Sequence, residues 1–320
     1  MTKYEKILKK IKNVYRQTGE NFNVDEVIFS LFNTAIYDQE EYQAIVDHAL
    51  NFNIVFGEKT YALYLDENYE NKKYDFGFGS EKTRREMLDI ICLEKIDVDE
   101  DPIGEMLQSC NHLFDKSASQ AFGEFFTPVS IVKEIINKLN PKAEENIYDP
   151  FCGSGRFLIQ FLKKHHYGQV FGNDIIIWSQ RATKLNLLLE SIDYRRFFQN
   201  NIKNQNSLAL EVNHKYDIVA TNIPFSLKYG LDESIVSIPK NLNKNDGNIH
   251  CILHCCEAVK EGGKMAIIVP NSVVHTEQYT PLMDYLKKHA EVETVDLKSG
   301  TFKPYTDVNA SVLYLNDCSF

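Results

Sequence analysis

The apolar residues of this 320-residue chain change their spacing once, and that change fixes most of what it can fold into. From Tyr4 to about Leu113 they recur every three or four positions, as in Ile7, Leu8, Ile11 and Val14, then Val27, Ile28, Leu31 and Phe32. Such spacing lays an apolar stripe along one helix face, so it predicts a mostly helical N-terminal domain over residues 1–121. From Asn146 onward, short β-rich runs alternate with helix-length segments. The runs lie at Asn146–Asp149, Gln169–Asp174, Arg195–Phe198, Tyr216–Thr221, Lys264–Val269, Glu291–Asp296 and Ala310–Leu315. Helices are expected at about Arg156–His165, Ser179–Glu190, Asn248–Lys260 and Thr280–His289. This alternation predicts an α/β domain over residues 122–320, a doubly wound, mostly parallel sheet of seven strands. In such sheets ligands bind in the crevice beyond the carboxyl ends of the strands.

Between the helical stretches, Asp66–Ser80 reads as an exposed loop and Ile96–Pro102 as a turn leading into a helix. No apolar run approaches the roughly 20 residues needed to cross a bilayer, and the opening MTKYEKILKKIKNVYRQ is charged and amphipathic, unlike a signal peptide. Seven cysteines, irregularly spaced, read as reduced thiols. A cytoplasmic protein without membrane attachment is expected. The net charge of −10 is concentrated in the first third, where residues 1–121 hold 14 Lys and Arg against 23 Asp and Glu. Affinity for phosphate comes from clustered Lys and Arg, so this chain is a poor unaided binder of nucleic acid.

The first strand of the α/β part ends Tyr148-Asp149-Pro150-Phe151-Cys152-Gly153-Ser154-Gly155-Arg156-Phe157 and leads into a helix. Glycines at such a junction let a ligand approach the backbone closely. A nucleotide diphosphate suits the turn poorly, because the third glycine of G-x-G-x-x-G would fall at Leu158 and Asp149 would repel the phosphates. A cationic ligand such as S-adenosylmethionine suits Asp149 better, and a purely structural turn is the competing reading. The second strand ends at Asp174, about 20 residues on, where related sheets place an acid that accepts from ribose hydroxyls; capping of the next helix is the alternative. Trp178 either covers a ligand ring or packs in the core.

The fourth strand ends Asp217-Ile218-Val219-Ala220-Thr221-Asn222-Ile223-Pro224-Phe225. An amide, a proline and an aromatic at the lip of the crevice resemble the Asn-Pro-Pro-Phe/Tyr motif of the amino-methyltransferases. The tract DPFCGSGRF resembles their S-adenosylmethionine loop, and Phe122-Gly123-Glu124-Phe125-Phe126-Thr127-Pro128 resembles the segment preceding it in N6-adenine DNA methyltransferases. The pattern continues in Lys260-Glu261-Gly262-Gly263-Lys264, in Val269-Pro270-Asn271, and in Gly300-Thr301-Phe302-Lys303-Pro304-Tyr305-Thr306-Asp307-Val308. Together, over about residues 105–316, these motifs are similar to the modification subunit of type I restriction–modification systems.

The resemblance implies a Rossmann-like S-adenosylmethionine-dependent methyltransferase fold and transfer of a methyl group to the N6 amine of adenine in DNA. It implies a cofactor held by Glu124, Phe125, Thr127, Asp149, Phe151, Gly153, Ser154, Gly155, Asp174 and Asn206. The lone pair of adenine's amine is delocalised into the ring, so the enzyme must accept hydrogen bonds from both of its N–H groups and aim the lone pair at the methyl group. Asn222 would accept one and the Ile223 carbonyl the other, with Pro224 shaping the turn and Phe225 stacking on a base flipped from the duplex. No metal is implied. The motif departs from the commoner form at Ile223, which loses one fixed φ angle, and at Asn206, where an acid is common in the region that recognises the cofactor's adenine. An amide oxygen at 206 can still accept from that amine.

The chain ends a few residues after its last expected strand, which implies that base-specific reading comes from a DNA specificity subunit, or that the chain is a fragment. A second copy of the chain and a restriction subunit are the further partners that the resemblance implies. Competing readings are an amino-methyltransferase acting on RNA or protein glutamine, and a non-catalytic subunit. The run His250-Cys251-Ile252-Leu253-His254-Cys255-Cys256 has metal-ligand residue types at i, i+4 spacing, but its position before the fifth strand reads as buried packing.

Overall fold

The computed structural model describes residues 1–31 apart from 25 and 29, then 55–56, 59–60, 80–92, 101–114, 126–164, 169–190, 201–225, 227 and 231–320. Helix α1 (Lys3–Thr18) begins with a capping box in which Thr2 and Glu5 satisfy each other's backbone N–H groups, and it ends on Gly19 at φ 75°. Its stripe of Tyr4, Ile7, Leu8, Ile11 and Tyr15 packs with Val27, Leu31, Met87 and Ile91. Val55–Phe56 (β1) and Lys59–Thr60 (β2) pair antiparallel. Helix α2 spans Glu81–Cys92, and α3 spans Pro102–Phe114, with proline in the first helical position where its missing N–H costs nothing.

Helix α3 serves two cores. Met106 and Cys110 join the cluster around α1, whereas Ile103 and Leu107 join the main core under the sheet. The helical part is therefore packed into the α/β part through α3 and through Ile28, whose neighbours Val27 and Leu31 belong to the cluster around α1. The sequence-based boundary after residue 121 falls outside the described residues.

The remaining elements are α4 (Val129–Leu139), β3 (Ile147–Asp149), α5 (Arg156–Lys164), β4 (Val170–Asp174), α6 (Ile177–Glu190), β5 (Ile202–Asn204), β6 (Tyr216–Asn222), α7 (Gly247–Ala258), β7 (Val259–Pro270), α8 (Asn271–His275), α9 (Thr280–His289), β8 (Glu291–Asp296) and β9 (Ala310–Asn316). Strands β3 to β9 form one seven-stranded sheet in the order β5-β4-β3-β6-β7-β9-β8. It is parallel except for β9, which runs antiparallel to both β7 and β8. The chain winds outward from β3 through β4 to β5, then returns to β6 on the other side of β3. The carboxyl ends of β3 and β6 thus flank the switch point where such sheets bind ligands.

Two strands differ from the sequence reading. The expected strand Arg195–Phe198 lies outside the described residues, and the strand paired with β4 is the short, largely polar β5. Strand β7 begins at Val259 instead of Lys264, because its register against β6 shifts around Tyr216 and Ile218 and Gly262 sits at φ 72°. At the far edge, β8 carries Glu291, Glu293 and Asp296 on an exposed strand. Among the described residues no helix is long and apolar enough to cross a membrane.

The centre of the sheet is dry: Ile267 and Ile268 of β7 and Leu313 of β9 are fully buried. Ile267→Ala should cost about 2–5 kcal/mol, the range for truncating a packed aliphatic side chain, read as a lowered urea midpoint with unchanged slope.

Candidate active site

Beyond the ends of β3, β4 and β6 lies a cavity lined by Phe126, Thr127, Asp149 to Ser154, Arg156, Phe157, Asp174, Ile175, Gln205 to Ser207, Asn222, Ile223, Pro224 and Leu227. Of the residues expected to hold a cofactor, Thr127, Asp149, Phe151, Gly153, Ser154, Asp174 and Asn206 therefore face one space with the expected acceptors Asn222 and Ile223. Glu124 and Phe125 lie outside the described residues. Gly155 is not on the cavity wall. It stands at φ 84°, and a Cβ there would come within 2.8 Å of Thr183, so its role is the turn itself. Gly153 is also left-handed, at φ 54°, and its missing Cβ makes room for the Phe126 ring.

Asp149 is 1% exposed, accepts from the Phe151 N–H at 3.1 Å, and has no Lys or Arg paired with it among the described residues. Burial pushes its carboxyl up to about 7; the Thr221 hydroxyl and the Phe151 N–H pull it down by less, and the Asp174 carboxylate adds to the rise. A buried carboxylate with no protein cation beside it is a place for a cationic ligand. Asp174 is buried too. Its Oδ2 accepts from the Gly153 N–H at 2.9 Å and its Oδ1 from the Ile176 N–H at 2.8 Å, so it ties the glycine loop to β4 and caps the entry to α6. The helix-capping alternative thus holds alongside the acid's place on the cavity wall.

Asn222, half-buried, closes β6, and the Ile223 side chain is 1% exposed within the main core. The Ile223 N–H donates to the Ile268 carbonyl at 3.2 Å, a bond that proline cannot make. What the chain gives up in a fixed φ it recovers through a cross-strand bond and a buried aliphatic side chain. Phe225 stands off the cavity wall, buried and edge-on to Phe302 with centroids 5.7 Å apart. Trp178 packs against the core under the Arg181 guanidinium rather than over the cavity. In the His/Cys run, His250 has both ring nitrogens engaged, with Ser234 Oγ at 2.7 Å and the Lys244 carbonyl at 2.8 Å, and burial pushes His254 down to about 4. Among the described residues no group of three or more His, Cys, Asp or Glu is placed to hold a metal.

The sequence reading missed the buried cluster that holds the glycine loop from behind. Arg156, 4% exposed, donates from Nε to Asp101 Oδ2 at 2.5 Å, from one terminal nitrogen to the Thr127 carbonyl at 2.7 Å, and from the other to Glu105 Oε1 at 2.8 Å. Burial alone lowers the guanidinium pKa, but Asp101 and Glu105 outweigh it and hold Arg156 charged. Asp101 also accepts from Ser154 Oγ at 2.7 Å, Asn186 Nδ2 at 2.7 Å and the Gly104 N–H at 2.8 Å. Gly104 is where α3 meets the loop: a Cβ there would lie 2.2 Å from Asp101 Oδ2 and 2.5 Å from Ser154 Oγ. One signal was legible, since the acid before Pro102 is a helix-cap pattern; its bond to a residue 55 positions away was not.

Residues 98–318, well over half of the chain and including Asp101, match the family described as N-6 DNA Methylase. The chain belongs to that family. As a member of the N-6 DNA methylases, it is 25% identical over 219 residues to the EcoEI type I restriction enzyme methylase subunit of Escherichia coli, covering 62% of this chain and 43% of that subunit. To the MpnII type I methylase subunit of Mycoplasma pneumoniae it is 24% identical over 242 residues, covering 67% and 44%. The chain thus spans less than half the length of these relatives. The modification subunit of a putative type I restriction enzyme from Vibrio vulnificus shares the fold at a TM-score of 0.64 and 16% identity, with 99% of this chain and 82% of that one covered. The fold is that of the S-adenosylmethionine-dependent methyltransferases.

Two outcomes follow from the buried charges. Asp101→Ala strands Arg156 with too few acceptors and should cost about 3–5 kcal/mol in urea unfolding; a loss below about 1 kcal/mol would refute the role given to this ion pair. Because the folded Asp149 carboxyl binds its proton more tightly than an unfolded one, stability falls as pH rises from the usual carboxylate range of 3.8 through about 7. Asp149→Asn should therefore gain on the wild type progressively across that window, which denaturation at pH 4, 6 and 8 will reveal.

Proposed function

We propose that this chain transfers the methyl group of S-adenosylmethionine to the N6 amine of adenine in DNA, as the modification subunit of a type I-like restriction–modification system. The observation that carries this reading is the sharing of one cavity by a buried, cation-seeking Asp149 with its glycine turn and by the amide-led end of β6. Membership of the N-6 DNA methylases and the similarity to type I methylase subunits support it.

S-adenosylmethionine, when bound, supplies a methyl group already activated on a sulfonium. Asp149 provides the negative charge for such a cation, Asp174 and Asn206 stand where ribose and adenine are recognised, and Gly153 and Ser154 bring backbone to the ligand. Phe126 and Thr127 close the near wall, and Phe151 covers the turn. Asn222 Oδ1 and the Ile223 carbonyl accept hydrogen bonds from the two N–H groups of the target amine, which localises its lone pair. As the nitrogen gains positive charge those two bonds strengthen, so they favour the transition state over the ground state. Each such contact is worth about 1.5–3 kcal/mol, or roughly 10- to 150-fold in rate. Phe225 is the ring that stacks on the flipped base, which requires it to turn out of its buried, edge-on packing with Phe302.

Target selection falls to a specificity subunit, because the cavity reads one base and the chain's charge is acidic overall. A second copy of this chain and a restriction subunit complete the assembly. The test is methylation of DNA by the chain co-expressed with its specificity subunit, with N6-methyladenine identified by mass spectrometry; tritium label that survives nuclease and follows protein or RNA would overturn the substrate assignment.

Asn222→Ala should slow methyl transfer by roughly 10- to 150-fold and leave cofactor affinity within several-fold, whereas Asp174→Ala should weaken the cofactor first. Affinity for S-adenosylmethionine should rise from pH 6 to pH 8 as Asp149 ionises, and Asp149→Asn should flatten that profile in calorimetry.

A further inference from the structure

Asn206 lines the cavity, but its oxygen is engaged by the backbone. It caps the short 3-10 turn Ser207–Ala209, and its Oδ1 accepts from the Leu208 N–H at 3.1 Å. The cap fixes which end of the amide is which, because reversing it would set NH₂ against N–H. The amide nitrogen therefore points the other way, where it donates to Glu233 Oε2 at 3.2 Å.

Glu233 is exposed, and the backbone next to it is anchored. The Ser234 N–H closes a turn onto the Leu231 carbonyl, and the Ile235 N–H donates to the Leu208 carbonyl at 2.9 Å, within the turn that Asn206 caps. His250 Nε2 donates to the Lys244 carbonyl, and His250 Nδ1 shares a hydrogen bond with Ser234 Oγ at 2.7 Å. The loop that follows the Asn222 motif is in this way pinned to the turn after β5, with a carboxylate held beside Asn206. Glu233 Oε1 takes no bond among the described residues.

We propose that Glu233, together with Asn206, recognises the adenine of the cofactor: the Glu233 carboxylate accepts from the exocyclic amine, and the Asn206 amide donates to the neighbouring ring nitrogen. This rests on the reading of the cavity as an S-adenosylmethionine site. The acid that position 206 lacks is supplied 27 residues later, from the loop that also leads away from the catalytic motif. Adenine offers a donor at its amine beside an acceptor at N1, which is the complement of a carboxylate beside an amide N–H. Hypoxanthine reverses both, with a carbonyl beside an N–H. A site built on this pair rejects it, since the carboxylate then faces an oxygen.

The experiment is calorimetric titration of the intact chain and its variants with S-adenosylhomocysteine and S-inosylhomocysteine, a readout independent of methyl transfer. The wild type should prefer the adenosyl ligand by at least tenfold. Glu233→Gln should bind it about tenfold more weakly and bring the two ligands within about twofold, because glutamine can turn its NH₂ toward the hypoxanthine carbonyl. The double variant Asn206→Asp, Glu233→Gln should restore the adenosyl ligand to within about threefold of wild type, since the carboxylate introduced after β5 then serves both as cap and as acceptor. Glu233 is exposed, so its replacement leaves the fold intact, which the unchanged unfolding midpoint will verify. Wild-type affinity and discrimination in Glu233→Gln, or no rescue in the double variant, would overturn the pair while leaving the cofactor site standing. Failure of the wild type to bind S-adenosylhomocysteine at all would overturn both.

Discussion

A single buried cation holds together three stretches of chain that have no local reason to meet. Arg156 sits at the start of α5, and its three directions of hydrogen bonding reach the cap of α3, the body of α3 and the backbone at Thr127. Burying such a charge is expensive unless every donor finds an acceptor, and an arrangement that satisfies it in only one geometry is correspondingly specific. Asp101 is the other half of that constraint. Held at φ 54°, it gathers Ser154, Arg156, Asn186 and the Gly104 N–H onto two oxygens. The glycine loop is thus fixed by the sheet on one side, through Asp174, and by the helical part on the other, through Asp101.

That double anchoring explains how a loop containing two left-handed glycines keeps one shape. Glycines permit the turn without choosing it, because they lose more freedom on ordering than other residues. The choice is made by carboxylates that bond its N–H and hydroxyl groups. Since α3 contributes apolar residues to both cores, any shift of the helical part relative to the sheet would strain the walls of the cavity.

The parts of this architecture that were legible in the sequence are those written in local pattern. Strand and helix periods located β3, β4, β6, β8 and β9 to within a residue or so, and the ends of the first three set Asp149, Asp174 and Asn222 on one cavity. Local pattern failed where a strand has no apolar identity: Ile202–Asn204 is a strand because β4 offers it a ladder, not because its residues prefer one. It was also silent on Arg156, whose partners are separated from it by tens of residues, and on the orientation of Asn206, which is decided by a backbone N–H two positions on. The Ile223 substitution read as a loss from sequence alone, since the compensating bond to Ile268 lies across a strand boundary.

The outermost strand has a consequence of its own. A sheet margin exposes a row of unsatisfied backbone groups that another chain can copy, and molecules that survive at high concentration must discourage this. Here β8 meets solvent with Glu291, Glu293 and Asp296 along its length, and Lys138 leans across to Glu293. Two such margins brought together would set carboxylate against carboxylate, which disfavours strand pairing along this edge.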